Sequence, residues 1–162
     1  ILKSLVKPAN NYAINSVDGG MLIQSTDKGA TEQFQTVTRT TPTTEQLADM
    51  VFGIKAIKNC TSNAILIVKD KKTLGICGGQ VNRIWAAQQA LERANMDEKT
   101  SKGAILVSDA FFPFSDVVQV AAEHSIAAIV QPGGSIRDDD SIAEADKNSI
   151  CMVFTGVRHF KH

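Results

Sequence analysis

Arg158, Phe160 and His162 fall at alternate positions at the end of the chain. If that segment is extended they share one face, because strand side chains alternate sides. A cation, a ring and an imidazole on one face suit a phosphorylated heterocycle. The plainer reading of the same residues is a frayed basic terminus. A second group lies in Ser108-Asp-Ala-Phe-Phe-Pro-Phe114. Phe111, Phe112 and Phe114 cannot all point inward from one loop. Either one of them faces a planar ligand ring, with Pro113 stiffening the backbone, or the loop folds over the core. Asp116 follows at a helix start, where the dipole favours a carboxylate, and can equally accept from a ligand amino group.

Two glycine turns add possible anion sites. Gly78-Gly79-Gln80-Val-Asn-Arg83 joins a strand to a helix. Free N–H groups at a helix start favour an anion, and glycines let it approach. Arg83 can fork onto a phosphate or carboxylate, or it is a solvated arginine beside a plain turn. Gln131-Pro-Gly-Gly-Ser135 is a second turn of this kind. Asn63, before an apolar strand, reads as a turn residue. His124 reads as structural or exposed. Asp138, Asp139 and Asp140 have a metal-ligand look but fit a helix start better.

The elements that must hold these groups alternate. Short strands are expected at 21–23 and 34–37. Thr43 with Gln46 fits a capping box and Thr41 with Pro42 an N-cap and N1 pair. Leu47, Met50, Val51 and Ile54 then mark one helical face running to about Lys58. Strands at 64–68 and 73–77 flank a charged turn. A helix carries Val81, Ile84, Ala87, Leu91 and Ala94 on one face, and 95–102 is a polar loop. Strands at 104–107, 126–130 and 150–154 alternate with helices at 116–123 and 138–147. Continuous apolar strands alternating with helices indicate an α/β fold, and the hairpin at 64–77 makes the sheet mixed. Residues 1–19 read as irregular.

At 162 residues with 43% hydrophobic and 21% charged side chains, the chain is expected to form one globular domain. A net charge of zero and the lack of a basic stripe argue against nucleic acid. No apolar run approaches a membrane span, and no secretory signal opens the chain. Cys60, Cys77 and Cys151 lie in or beside apolar stretches without a Cys-x-x-Cys, which suits buried thiols in a reducing compartment. A His-x-Glu with Pro-Cys-x-x-Cys is absent, which disfavours a zinc-water deaminase. Neither a phosphate-binding Gly-x-x-x-x-Gly-Lys-Ser/Thr nor a Gly-x-Ser-x-Gly occurs. The start at Ile1 reads as that of a piece lacking its N-terminal part, with a natural C-terminus.

Ser62-Asn63-Ala64, Gly75-Ile-Cys-Gly-Gly-Gln-Val-Asn-Arg83, Ser108 to Phe114, Gln131-Pro-Gly-Gly-Ser-Ile-Arg137 and Val157-Arg-His-Phe-Lys-His162 occur in this order. With them, from about Ser16 onward, the chain resembles the C-terminal part of the bifunctional purine-biosynthesis family, the AICAR transformylase/IMP cyclohydrolases. The resemblance implies a three-layer, cytidine-deaminase-like fold with a mixed sheet between helices. Residues 1–162 would form the second half of a transformylase domain. It implies formyl transfer from 10-formyltetrahydrofolate to the 5-amino group of AICAR, with ring closure to IMP on a separate N-terminal domain. Asn63, Arg83, Phe111 and Arg158 would contact AICAR, and Pro113, Phe160 and His162 would line its pocket. Ile84, Asp116, Ser135 and Ile136 would contact the folate.

The family's catalytic Lys-His pair lies upstream, and Lys58-Asn59 occupies the equivalent place here, so binding without complete catalysis is expected. The resemblance implies no metal, a homodimer, a cytoplasmic location, and the upstream half of the same enzyme as partner. Cys77 and Asn82 stand where glycine and serine are common, and Cys77 is expected to narrow the phosphate-side turn. The competing reading is a non-catalytic phosphate-ligand-binding α/β domain.

Overall fold

The computed structural model describes residues 12–27, 33–96 and 100–161. The strands are β1 (Tyr12–Val17), β2 (Gly20–Ser25), β3 (Gln35–Thr36), β4 (Ile65–Lys69), β5 (Lys72–Cys77), β6 (Ile105–Ser108), β7 (Ala128–Gln131) and β8 (Cys151–Phe154). The helices are α1 (Thr44–Ile57), α2 (Arg83–Ala94), α3 (Asp116–Glu123) and α4 (Asp138–Lys147). β1 and β2 form a hairpin of their own, and the other six strands make one sheet in the order β3-β8-β7-β6-β4-β5. β6, β7 and β8 run parallel, whereas β4 is antiparallel to both its neighbours and β3 to β8. The sheet is therefore mixed, as the 64–77 hairpin implied.

Side-chain alternation along the strands divides the core in two. Ile65, Ile67, Leu106, Ile129 and Met152 pack with α2, α3 and α4. Leu66, Val68, Ile105, Val107, Ala128, Val130, Cys151 and Val153 pack on the other face with Met50, Ile54 and Ile57 of α1. Because helices cover both faces, the central strands need apolar residues at every position, which is why they read as continuous runs. The result is an α/β fold of three layers. The packing face of α2 is built from alanines, Ala86, Ala87, Ala90 and Ala94. They let the helix come so close to β5 that a Cβ on Gly75 would meet the backbone at Ala90 and Ala94.

Local signals explain the element ends. Thr43 Oγ1 accepts from Gln46 N at 3.2 Å and Gln46 Oε1 accepts from Thr43 N at 2.9 Å. This capping box starts α1, so the Thr41-Pro42 alternative is not used. The β4–β5 turn places Asp70 and Lys71 at φ 53 and 54. Asp49, buried on α1, accepts from both turn N–H groups, at 3.0 Å and 2.7 Å. Hydrogen bonds to a charged acceptor contribute about 1.5–3 kcal/mol, so Asp49→Ala is expected to lower stability by that amount. Urea unfolding with an unchanged m-value would register it as a shifted midpoint.

Two expectations need correction. Residues 12–17 are strand, not irregular chain: Gly19 at φ 77 turns the backbone and pairs Val17 with Gly20. Apolar periodicity does not find such a strand, because both hairpin strands are exposed along nearly their whole length. Val81 precedes α2 and is exposed, since Asn82 caps the helix one residue later. Residues 1–11 of the 1–19 segment, residues 97–99 of the polar loop and His162 lie outside the described residues.

Candidate functional site

Strand pairing gathers the suspected residues along one edge of the sheet. Ile65 at the start of β4 pairs with Cys77 at the end of β5 and with Ser108 at the end of β6. Gln131 at the end of β7 pairs with Phe154 at the end of β8. Ligands of α/β proteins bind beyond such strand ends.

At the centre lies a buried polar network. Arg83 is 6% exposed and Asp109 is 0% exposed. Arg83 Nη1 pairs with Asp109 Oδ1 and also donates to the Ala64 carbonyl at 3.2 Å. Nη2 donates to Asn63 Oδ1 at 2.7 Å, and Asn63 Nδ2 donates to the Gln80 carbonyl at 2.8 Å. Arg83 is thus no solvated arginine. It neutralises Asp109 and holds the Asn63 amide in one orientation. Arg83 Nε and Asp109 Oδ2 have no hydrogen-bond partner among the described residues.

The glycine turn before it is committed too. Gly79 N donates to the Thr61 carbonyl at 2.7 Å and Gln80 N to the Asn63 carbonyl at 3.3 Å. These two N–H groups are not free for an anion, contrary to the expectation from composition. Cys77 does not narrow the turn either, because its side chain lies in the core with Ile65 and Ala86. Asn82 does what a serine would do there: its Oδ1 accepts from Trp85 N at 2.9 Å and caps α2.

The tail is sewn down across this network. His159 N donates to the Asp109 carbonyl at 2.9 Å, and Ser62 N donates to the Lys161 carbonyl at 2.9 Å. His159 is buried, with Nδ1 2.6 Å from Asp27 Oδ2. Alternation then turns Arg158 and Phe160 outward together. The Arg158 guanidinium lies 5.1 Å from the Phe111 ring centre and 5.8 Å from that of Phe160. The shared face expected for Arg158 and Phe160 is present, and the frayed-terminus reading fails for residues 155–161.

The Phe loop divides its rings by role. Phe112 is fully buried and its N–H donates to Gln131 Oε1 at 3.1 Å, while Phe111 is half-buried and Phe114 exposed. Phe111, Pro113 and Phe114 line one cavity with Ser135, Ile136 and Arg137, of about 390 Å³. Phe111 therefore borders both the arginine of the tail and this cavity. Asp116 stands outside the lining, its Oδ1 accepting from Val117 N at 2.8 Å. Ile84 is half-buried against the core, also outside the lining. Asp138 begins α4 and accepts from Gly134 N at 2.7 Å, so the acidic triplet is a helix start.

Sequence reasoning assigned no role to Asp109, Gln131, His159 or Asp27. Asp109 had a readable signal, since an acid directly after a buried strand requires a cationic partner. His159 is the inward counterpart of the alternation that placed Arg158 and Phe160. The contact with Asp27 spans most of the chain and has no local signature. Burial raises the Cys151 thiol pKa, and burial together with the Asp109 charge raises that of Cys60, which disfavours the reactive thiolate at both.

The family model of the AICARFT/IMPCHase bienzyme matches residues 1–93, more than half of the chain. The chain belongs to this family. It is 54% identical over 162 residues to the bifunctional purine biosynthesis protein PurH of Clostridium kluyveri, covering 100% of this chain and 31% of that protein. PurH of Petrotoga mobilis is 55% identical, with the same coverage of 100% and 31%. The chain thus spans about a third of the length of these relatives.

Among solved structures, the dCMP deaminase of cyanophage S-TIM5 in complex with dCMP and dUMP is similar at TM-score 0.42. It is 15% identical over 66% of this chain and 90% of the deaminase. A deaminase/reductase of Thermotoga maritima is similar at TM-score 0.39 and 18% identity over 67% of this chain and 34% of its own. In this chain, Lys58 caps the C-terminus of α1, and Asn59 Nδ2 donates to the Lys55 carbonyl at 3.0 Å. Both serve the helix end.

Proposed function

We propose that the chain is the second half of the AICAR transformylase domain of a bienzyme. It binds and orients the reactants of formyl transfer from 10-formyltetrahydrofolate to the 5-amino group of AICAR, giving FAICAR. Closure to IMP belongs to a separate N-terminal domain. One observation carries this reading: a guanidinium, Arg158, lies between two aromatic rings beside a buried Arg83–Asp109 pair that aims the Asn63 amide. Such a surface offers a π face to an imidazole, a fixed amide to a carboxamide and a cation to a phosphate. Asn63, Arg83, Phe111, Pro113, Arg158, Phe160 and His162 form the AICAR side. Ile84, Asp116, Ser135 and Ile136 form the folate side.

Amide formation from a weakly nucleophilic amine needs a base and an oxyanion partner. A Lys-His pair from the upstream half supplies them, so this chain contributes binding and orientation alone. The protein works in the cytoplasm as a homodimer, with no nucleic acid or membrane partner. Among the described residues no helix is long and apolar enough to cross a membrane.

Calorimetry with AICAR tests the binding role. Arg158→Ala is expected to weaken affinity about 10-fold, which is about 1.4 kcal/mol. Undiminished binding in that variant contradicts the site. A formyl-transfer assay tests the division of labour. The chain alone should show no transfer and should regain it with the upstream half. Transfer by the chain alone overturns this reading. Binding without any regained transfer favours the non-catalytic phosphate-ligand domain.

A further inference from the structure

We infer that Arg137 is a receptor for a carboxylate carried by an elongated, ring-bearing ligand. In the setting proposed above this is the glutamyl carboxylate of the folate co-substrate, and the inference rests on that reading. The cavity beside it is walled by Phe111, Pro113, Phe114 and Ile136, all apolar, and its volume of about 390 Å³ suits a ring and its linker rather than a small anion. Arg137 is the charged member of the lining. Its guanidinium lies 4.9 Å from the Phe114 ring centre.

Stacking of this kind fixes the plane of the cation and leaves its edge donors directed along that plane, the geometry for a bidentate carboxylate. Phe114 is 51% exposed and Ile136 fully so, an arrangement that does nothing for the core. It is explained if both surfaces are covered by a ligand.

The local charges leave Arg137 available. Its backbone N–H donates to Ser135 Oγ at 3.1 Å, but its guanidinium has no hydrogen-bond or ion-pair partner among the described residues. Asp138 is engaged with Gly134 N at 2.7 Å. Asp139 lines a different cavity with Arg39, Ile142 and Asp146. Ser135 and Gly134 complete the rim, and Gly134 at φ 96 sustains a turn that side chains rarely adopt. The folate contacts expected at Ser135 and Ile136 are thereby extended to a charge-bearing neighbour.

The test compares two ligands on the 162-residue chain by calorimetry: 5-formyltetrahydrofolate and 5-formyltetrahydropteroate, which lacks the glutamate. The wild type should bind the glutamate form about 10-fold more tightly. Arg137→Ala should abolish that preference and leave affinity for the pteroate form unchanged. Arg137→Lys should restore part of it, since a point charge replaces a fork. Phe114→Leu, which keeps the charge and removes the stacking ring, should reduce the preference. An added excess of inorganic phosphate should leave the preference in place. If phosphate abolishes it, the site reads any anion and the carboxylate assignment is wrong. Equal weakening of both ligands by Arg137→Ala also overturns the inference while leaving the folate reading standing. Failure of both ligands to bind the wild type removes the folate reading and the inference together.

Discussion

Arg83→Met is expected to lower the stability of the fold by about 3–5 kcal/mol, the cost of leaving a buried charge without its counterion. Asp109 is 0% exposed, and one of its carboxylate oxygens already lacks a partner among the described residues. Methionine matches much of the arginine stem but brings no donor. The Asp109 carboxylate, the Ala64 carbonyl and Asn63 Oδ1 then lose their shared cation at once. The double variant Arg83→Met/Asp109→Leu should recover much of the loss, because a buried pair replaced by apolar groups is often close to neutral. A double-mutant cycle in urea therefore reads a large coupling between the two sites. A single variant within about 1 kcal/mol of the wild type would show that water reaches the pair and that it is not a buried one. The same substitution frees the Asn63 amide to rotate, so AICAR affinity should fall even in the double variant that folds well.

Phe112→Ala is expected to cost about 3–5 kcal/mol, whereas Phe114→Ala, two positions on, should stay within about 0.5 kcal/mol. Phe112 is 0% exposed and packs in the larger core cluster, with its N–H held by the buried Gln131 amide. Its loss opens a cavity that the surrounding strands cannot collapse to fill. Phe114 contacts Arg137 at the rim of the ligand cavity, so its loss should appear in folate binding rather than in unfolding. Thermal or urea midpoints of the two variants, set beside their ligand affinities, separate the roles. Matching losses of stability would mean that the loop packs as one unit and has no ligand-facing side.

The division within Phe111, Phe112 and Phe114 marks how far the sequence reaches. That the three rings cannot all be buried follows from spacing. Which one is buried depends on where β7 places Gln131, and no local pattern encodes that contact between residues 19 positions apart. The tail behaves in the same way. Period-2 alternation puts Arg158 and Phe160 on one face, and the structure has them there. It does not say whether that face is anchored, because the anchors are Asn59, Ser62 and Asp109, brought in by other elements. The glycine turn at 78–79 shows the opposite error. Free N–H groups were a reasonable expectation from a strand-to-helix turn, and they are taken by Thr61 and Asn63 across the fold.

By itself the sequence determined the α/β class, the mixed sheet, and, among the described residues, seven of the eight strands and all four helices. Each of these rests on apolar periodicity, capping residues and turns, which act over a few neighbouring positions. It also carried the loops that mark the family. The tertiary structure alone decided which polar groups are still available. Burial paired Arg83 with Asp109, engaged two N–H groups of the glycine turn, and left Arg137 and Arg158 beside rings at the surface. The physical reason is that a polar group removed from water must find a partner. Here Asp109, Asn63, Gln131 and His159 find theirs through contacts between segments far apart in the chain.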